Sequence, residues 1–145
     1  MDLDRALEPT AGIADTRMLA RLGLSSRDIR RAVDRGQLRR LRRGRYASRR
    51  AWPEVASAVA AGGRLACVSA LHAYGAWVMH DGLLHIRAGR GVEIRQSPTL
   101  RIHWTDDRGW DPAIDPVATA FATSISCLAL DHAVVVADSL ANRSL

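Results

Sequence analysis

Residues 22–47 read LGLSSRDIRRAVDRGQLRRLRRGRYA, and this stretch decides how the first part of the chain folds. Its first half predicts a helix over residues 25–35. Ser25 and Asp28 form the S-x-x-D pattern of a capping box, and Gly36 is a natural stop at the C-terminal end. The apolar positions follow the spacing of one helix face: Ile29, Ala32 and Val33. The remaining faces of this predicted helix are rich in arginine.

The second half of the stretch predicts a β-hairpin, because two short runs of apolar residues and arginines flank a turn at Arg43-Gly44. Three side chains are expected to face the core: Leu38, Leu41 and Tyr46. Upstream, residues 2–7 fit a short first helix, and Asp15 is the residue type that caps the start of a second. Helix, helix, turn, helix and basic hairpin is the order of a winged helix-turn-helix.

The positive charge of the chain is concentrated in this region. All 21 basic residues are arginines. Residues 1–50 hold 14 of them and 6 acidic residues, whereas residues 51–145 hold 7 arginines and 9 acidic residues. From Arg27 to Arg50 the chain has 11 arginines and only two aspartates. Such a stretch repels itself unless an anion is present, so the asymmetry indicates a polyanionic partner.

We interpret this basic surface as a site for double-stranded DNA. The helix over 25–35 would enter the major groove, where arginine suits bidentate contact with guanine, and the hairpin over 38–47 would hold the backbone. RNA is disfavoured because the basic stretch has a single aromatic residue, and a membrane surface because the helix lacks Trp and Phe. The candidate DNA-binding residues are Ser25, Ser26, Arg27, Arg30, Arg31, Arg39, Arg40, Arg42, Arg43, Arg45 and Tyr46. Four of these are expected to face the bases: Ser26, Arg27, Arg30 and Arg31.

The sequence predicts no catalytic residue, no cofactor and no metal site. Without lysine, a P-loop, a Schiff-base lysine and the lysine of PD-(D/E)xK nucleases are excluded. Cys67 and Cys127 lie outside any C-x-x-C pair, so we expect two small buried hydrophobes in a reducing compartment. His85 and His103 fall on predicted strands and can be neighbours, but satisfied or exposed strand histidines are the favoured interpretation. Other candidates are interpreted as a polar loop or as packing residues: Asp106, Asp107, Asp111, Trp52, Trp77, Trp104 and Trp110.

The sequence pattern of residues 51–145 predicts a segment that contains both helices and strands. Helices are expected over 53–61, 70–77, 117–125 and 131–141, and strands over 84–88 and 100–105. The fold class is therefore α+β, with a winged helix-turn-helix domain over 1–50 and a small α+β domain of unknown role over 51–145, joined near residues 48–53. No apolar run is long enough to cross a membrane, and the N-terminus lacks the apolar core of a secretory signal, so we expect a cytoplasmic protein.

The stretch 22–47 resembles the N-terminal winged helix-turn-helix of AbiEi-type antitoxins from type IV toxin–antitoxin systems. The same domain is found at the N-terminus of many actinobacterial proteins that have a Vsr-like endonuclease domain at the C-terminus. Weaker similarity to those proteins continues through three further stretches: 68–75, 84–87 with 100–103, and 131–138. The hairpin here is more basic than the family pattern, and the chain stops at Leu145, near where a nuclease domain would begin. The resemblance implies DNA binding and autoregulation of an operon.

Three hypotheses follow. The first is a non-enzymatic, sequence-specific DNA-binding protein, a transcriptional repressor or antitoxin-like regulator. The second is the DNA-targeting portion of a split or truncated Vsr-like endonuclease. The third is an interaction module in which residues 51–145 form a homodimer or bind a toxin. An apolar stripe in the last predicted helix motivates the third hypothesis, although packing within the chain is the favoured interpretation: Ala133, Val134, Ala137 and Leu140.

Overall fold

The computed structural model describes residues 1–107, 109 and 112–145, and within them the chain forms seven α-helices and six β-strands. Trp110 and Asp111, for which the sequence predicted packing and loop roles, lie outside the described residues. The helices are α1 (Leu3–Ala6), α2 (Thr16–Arg21), α3 (Ser26–Asp34), α4 (Pro53–Ala61), α5 (Cys67–Ala73), α6 (Val117–Ser124) and α7 (Leu130–Asn142). The strands are β1 (Ile13–Asp15), β2 (Leu38–Arg42), β3 (Arg45–Ser48), β4 (Arg64–Leu65), β5 (Leu84–Gly89) and β6 (Leu100–Thr105). The predicted α+β class is confirmed.

Side-chain caps determine where the N-terminal helices begin. The Asp15 carboxylate accepts a hydrogen bond from the Met18 backbone N–H at 2.6 Å, which fixes the start of α2. At α3 the Ser25 hydroxyl accepts the Asp28 N–H at 3.2 Å, while the Asp28 carboxylate accepts the Ser25 N–H at 3.0 Å. This reciprocal capping box confirms the prediction. Gly36 follows the helix with a φ of 68°, a conformation that favours glycine.

The hairpin forms part of a three-stranded antiparallel sheet in the order β1-β3-β2. The turn falls at Arg43-Gly44 as predicted. Strand β1 was not predicted, because three residues are too few to show an alternating pattern. Its pairing places Ile13 opposite Ala47 and Ala14 opposite Tyr46. The third strand completes the winged helix-turn-helix.

Each face of this sheet packs on an apolar core. Successive side chains of a strand point in opposite directions, so neighbouring residues enter different cores. On one face, Ala14 and Tyr46 pack with residues of α1 to α3 and of β2: Leu3, Leu7, Leu19, Ile29, Ala32 and Leu38. On the other face, Ile13 and Ala47 pack into the core of the second segment, which includes Val55, Leu65, Leu71, Ile86 and Val136. Residues 51–145 therefore cover the back of the sheet that carries the hairpin.

The second segment contains a sheet in the order β4-β5-β6, in which β5 pairs antiparallel with β4 and parallel with β6. The predicted strands 84–88 and 100–105 are present, and β4 is additional. Asp115 is fully buried beside this sheet and accepts hydrogen bonds from the Arg87 guanidinium at 2.6 and 3.2 Å. Burial raises the pKa of Asp115, although the Arg87 hydrogen bonds and charge oppose the rise. None of the described helices has the length and apolarity needed to cross a membrane.

Two expectations for the helices of this segment were wrong in detail. Helix α5 spans Cys67–Ala73 rather than the predicted 70–77, and the buried hydroxyl of Ser69 within it accepts the His85 backbone N–H at 2.9 Å. In α7 the buried face is Ala133, Val136 and Leu140, spaced three and four residues apart. Val134 and Ala137, which the sequence placed in the same stripe, are exposed.

Residues 11–12 and 48–52 are in close backbone contact where the two segments meet. The Ser48 N–H donates to the Gly12 carbonyl at 2.8 Å, and the Trp52 N–H donates to the Ala11 carbonyl at 3.0 Å. A Cβ atom added to Gly12 would lie 2.4 Å from the Ala51 Cα, and the φ of Gly12 is +81°. Glycine is therefore required here both by conformation and by space.

Replacing Gly12 with alanine should lower the free energy of unfolding by roughly 3–5 kcal/mol, because backbone strain and overpacking add. Gly23→Ala is the matched control, since Gly23 has a similar φ of +89° and nothing within 4 Å of an added Cβ. It should cost only about 1–2 kcal/mol. Urea denaturation measures both. Equal losses would show that the approach of Ala51 does not constrain the fold.

Candidate nucleic-acid interface

Helix α3 is the exposed element of the helix-turn-helix. Its apolar face, Ile29 and Ala32, is buried against the N-terminal core, and its other side chains reach the surface. The sequence predicted this arrangement from the spacing of the apolar positions. The helix is fixed at its first turn by the capping box, whose hydrogen bonds from Ser25 also lower the pKa of the Asp28 carboxyl.

The four predicted base-facing residues lie on the side of α3 away from Ile29 and Ala32. At about 100° per residue, Arg27 points directly away from the buried face, with Arg30 roughly 60° to one side of it and Arg31 roughly 40° to the other. Ser26 and Arg30 line a groove of about 310 Å³ between α3 and the hairpin, with Arg40 and Tyr46 on its far wall. Arg31 instead lies on the side of α3 that faces the first residues of the chain, 3.9 Å from Asp28.

The hairpin presents its arginines in two directions. Strand register pairs Arg40 with Tyr46, and these two side chains face the α3 groove. A shift in register after Arg40 then pairs Arg42 with Arg45. Near the turn, Arg42, Arg43 and Arg45 line a second groove of about 270 Å³ together with Arg87 and four glycines of the second segment. Arg39, Arg40 and Arg43 are exposed, whereas the side chains nearest the second segment are partly covered.

Arg42 contacts the second segment directly. Its two terminal nitrogens each donate to the Glu93 backbone carbonyl at 3.1 Å. A Cβ on Gly62 would lie 2.0 Å from the Arg42 Nη1 atom, so the guanidinium occupies the space that this glycine leaves open. The sequence predicted only DNA contact for Arg42. The structure gives it a second role, in holding the hairpin against residues 62 and 93.

The charge of this surface is only partly neutralised. The ion pairs among the described residues of the N-terminal domain are Arg31 with Asp28 and Arg49 with Asp4. Among the predicted DNA-binding arginines, five lie outside those pairs and are exposed: Arg27, Arg30, Arg39, Arg40 and Arg43. Arg45 has a partner and lies opposite Asp15 in the sheet, so it is not counted among them. These five exposed guanidinium groups thus remain available to a polyanion.

A group of metal-ligating residue types, which the sequence did not predict, lies in the second segment. Cys67, His85, His103 and Cys127 have donor atoms that all lie within 4.8 Å of one another. The sequence correctly suggested that the two histidines are neighbours, but it gave no reason to join them to the cysteines. The ligand positions are separated by 18, 18 and 24 residues, a spacing that matches no local metal-binding motif.

Comparison with known families supports the N-terminal assignment. The family model described as a transcriptional regulator, AbiEi antitoxin, matches residues 1–49. The matched range contains α1, α2, α3 and the complete hairpin. It confirms the resemblance drawn from residues 22–47 and covers 49 of the 145 residues. A search of curated proteins finds no match to the chain.

Arg42 and Arg43 are adjacent arginines with different surroundings, and alanine substitutions should separate them. Arg42→Ala should lower the free energy of unfolding by roughly 1–2 kcal/mol, because it removes charged hydrogen bonds to a backbone carbonyl. Arg43→Ala should leave stability unchanged, since this side chain is exposed at the turn. Urea denaturation checks both values. An unchanged Arg42→Ala midpoint would contradict the packing role of Arg42.

Proposed function

We propose that this protein is a non-enzymatic regulator that binds a specific sequence in double-stranded DNA and represses transcription, as an antitoxin-like repressor. The observation that carries the proposal is the exposed, capped helix α3 lying beside a basic hairpin within one winged helix-turn-helix. The family match to residues 1–49 supports the general class, a transcriptional regulator. The specific sequence, the repressor role and the individual contacts are our inference.

In the proposed complex α3 lies in the major groove, which is wide enough to admit a helix. Arg27 is directed at the floor of the groove, and Ser26 and Arg30 extend the contact towards the hairpin. Arginine at these positions favours guanine through its O6 and N7 acceptors. Arg31 lies on the side of Arg27 away from the hairpin and interacts with Asp28, so we assign it to phosphate rather than to a base.

The hairpin supplies the contacts that do not depend on sequence. Arg40 and Arg43 are exposed and meet phosphates on the strand next to α3, whereas Arg39, opposite Ala47 in the sheet, is exposed on the other face. Each neutralised phosphate releases condensed counterions, and this release favours binding most at low salt. Tyr46 is half-buried against the N-terminal core, so its part in DNA binding is to shape the groove wall.

The test begins with selection of bound sequences from a random duplex pool, followed by titration of the selected site and of random DNA. With about five phosphate contacts, a plot of log K against log salt should have a slope of roughly −4 to −5. A slope near zero would contradict the electrostatic model. The same mixtures with Mg²⁺ should leave the DNA intact; metal-dependent nicking by the purified protein would contradict a non-enzymatic role.

Three alanine variants then assign the contacts. Arg30→Ala should lose roughly 1–3 kcal/mol of affinity for the selected site and much less for random DNA. Arg43→Ala should weaken both to a similar degree, as expected for a phosphate contact. Arg143→Ala removes an exposed arginine at the end of α7 and should change neither. If Arg30→Ala weakens both DNAs equally, Arg30 is a phosphate contact as well.

A second candidate function is association through residues 51–145, either with a second copy or with a toxin. It rests on α7, where Leu130 is 82% exposed and Val134 is 61% exposed on one face. Exposed aliphatic side chains at four-residue spacing are typical of a helix that meets a partner.

If the second copy covers this face, sizing should give a dimer, and Val134→Asp should convert it to a monomer. Ala122→Asp, on an exposed position of α6, should leave the dimer intact. A monomer in both wild type and variant would contradict self-association and leave only a different partner.

A further inference from the structure

Cys67, His85, His103 and Cys127 converge from four separate elements of the second segment. Cys67 is the first residue of α5, His85 lies in β5 and His103 in β6. Cys127 lies in the turn between α6 and α7. The two residues from the interior, Cys67 and His85, are buried, and the other two are half-buried.

The spacing of the donor atoms fits one tetrahedral ion. Zinc binds cysteine sulfur at about 2.3 Å and histidine nitrogen at about 2.0–2.1 Å. Ligands at the corners of such a tetrahedron lie roughly 3.3–3.8 Å apart. Here the His85 Nδ1 and His103 Nε2 atoms are 3.1 Å apart, and the Cys127 Sγ and His103 Nε2 atoms are 3.8 Å apart. These two distances lie within a few tenths of an ångström of those edges, and all four donor atoms lie within 4.8 Å of one another.

A second layer of contacts orients the ligands. The His85 Nε2 atom lies 3.0 and 3.2 Å from the Asp81 carboxylate oxygens, which directs the opposite ring nitrogen, Nδ1, into the cluster. A carboxylate on the outer nitrogen is the usual partner of a metal-bound histidine. The backbone of the same histidine is held by the buried Ser69 hydroxyl at 2.9 Å. Both contacts fix His85 from outside the cluster.

Cys67 is held in a backbone conformation that a cysteine rarely adopts. Its φ is +54°, in the left-handed region, although it is not glycine. Non-glycine residues in this region cost of order 1–3 kcal/mol and concentrate at functional sites. This backbone conformation directs the Cys67 side chain towards the two histidines and Cys127, as the binding of one shared ion requires.

Burial shifts the pKa values of three of the four groups. Burial, together with the nearby His85 and Arg101, lowers the pKa of His103 to about 4, and burial also lowers the pKa of His85. Burial disfavours the charged form of an imidazole, and the neutral form is the one that binds metals. Burial raises the pKa of the Cys67 thiol to about 12. A cation among the sulfurs would favour the thiolates and release their protons.

We propose that Cys67, His85, His103 and Cys127 bind one structural Zn²⁺ ion that joins α5, β5, β6 and the turn before α7. Two sulfur and two nitrogen donors in a tetrahedral arrangement favour zinc over the hard, oxygen-preferring cations. Four protein ligands leave no open position for water or substrate, so the role is structural rather than catalytic. This proposal replaces the sequence-based expectation of two buried hydrophobic cysteines and of strand histidines that are merely satisfied or exposed.

The direct test is metal analysis of the full chain purified under reducing conditions. We expect about one zinc per chain in the wild type and loss of most of it in Cys127→Ser and in His103→Gln. His132→Gln, a histidine on α7 outside the cluster, is the matched control and should retain full zinc. Cys127 is half-buried in a turn, so its change to serine perturbs packing least. Far-ultraviolet circular dichroism checks that each variant is folded.

A second measurement does not depend on the variants. Replacement of the native metal with Co²⁺ should give the visible absorption of a tetrahedral, thiolate-ligated ion. Chelation of the wild type should lower its Tm by at least about 5 °C, and added Zn²⁺ should restore it. Folded wild type that takes up neither Zn²⁺ nor Co²⁺ after reduction would overturn the proposal. Unchanged zinc in a Cys127→Ser/His103→Gln double variant would overturn it as well. Neither measurement involves DNA, so the outcome is independent of the function proposed above.

Discussion

The organisation of this molecule depends on a three-stranded sheet that is apolar on both faces. Ile13 and Ala47 form one cross-strand pair, and Ala14 and Tyr46 form the next, so alternation sends neighbouring pairs into different cores. A winged helix-turn-helix on its own would cover only the face that carries Ala14 and Tyr46. The second segment is required to keep Ile13 and Ala47 out of water, and this gives residues 51–145 a structural role whatever else they bind.

The same constraint positions the charge. A hairpin with several arginines is electrostatically unfavourable in isolation, since the guanidinium groups repel one another. Here its back is packed on the second segment, and Arg42 is bound to the Glu93 carbonyl. The strands therefore stay in place while Arg39, Arg40 and Arg43 remain exposed. Apolar packing behind the sheet offsets the repulsion in front of it, so the basic surface is preorganised for an anion.

Features that rest on neighbouring residues could be predicted from the sequence. The capping box of Ser25 and Asp28, the cap at Asp15 and the turn at Gly44 are each set within three or four positions of the chain. Strand β1 could not be predicted, because its three residues become a strand only by pairing with β3. The start of α5 was misplaced because Ser69 is the residue type of a cap, whereas tertiary contact with β5 uses its hydroxyl. For the proposed interface, the arginines were identifiable by composition, but which of them face the hairpin and which face the N-terminal residues required the helix to be packed.

The cysteine and histidine cluster could not be predicted from the sequence either, because it depends on contacts between residues far apart in the chain. Its four ligands come from four elements, and only the parallel pairing of β5 with β6 brings His85 and His103 to one face of the sheet. Strand β5 also carries Arg87, two residues further on, which lines the groove beside the hairpin arginines. Between them, Ile86 enters the core that supports the back of the hairpin sheet. Strand β5 thus contributes residues to the ligand cluster, the shared core and the basic groove. A contact that holds β5 in place at the cluster therefore also stabilises the surface against which the hairpin packs.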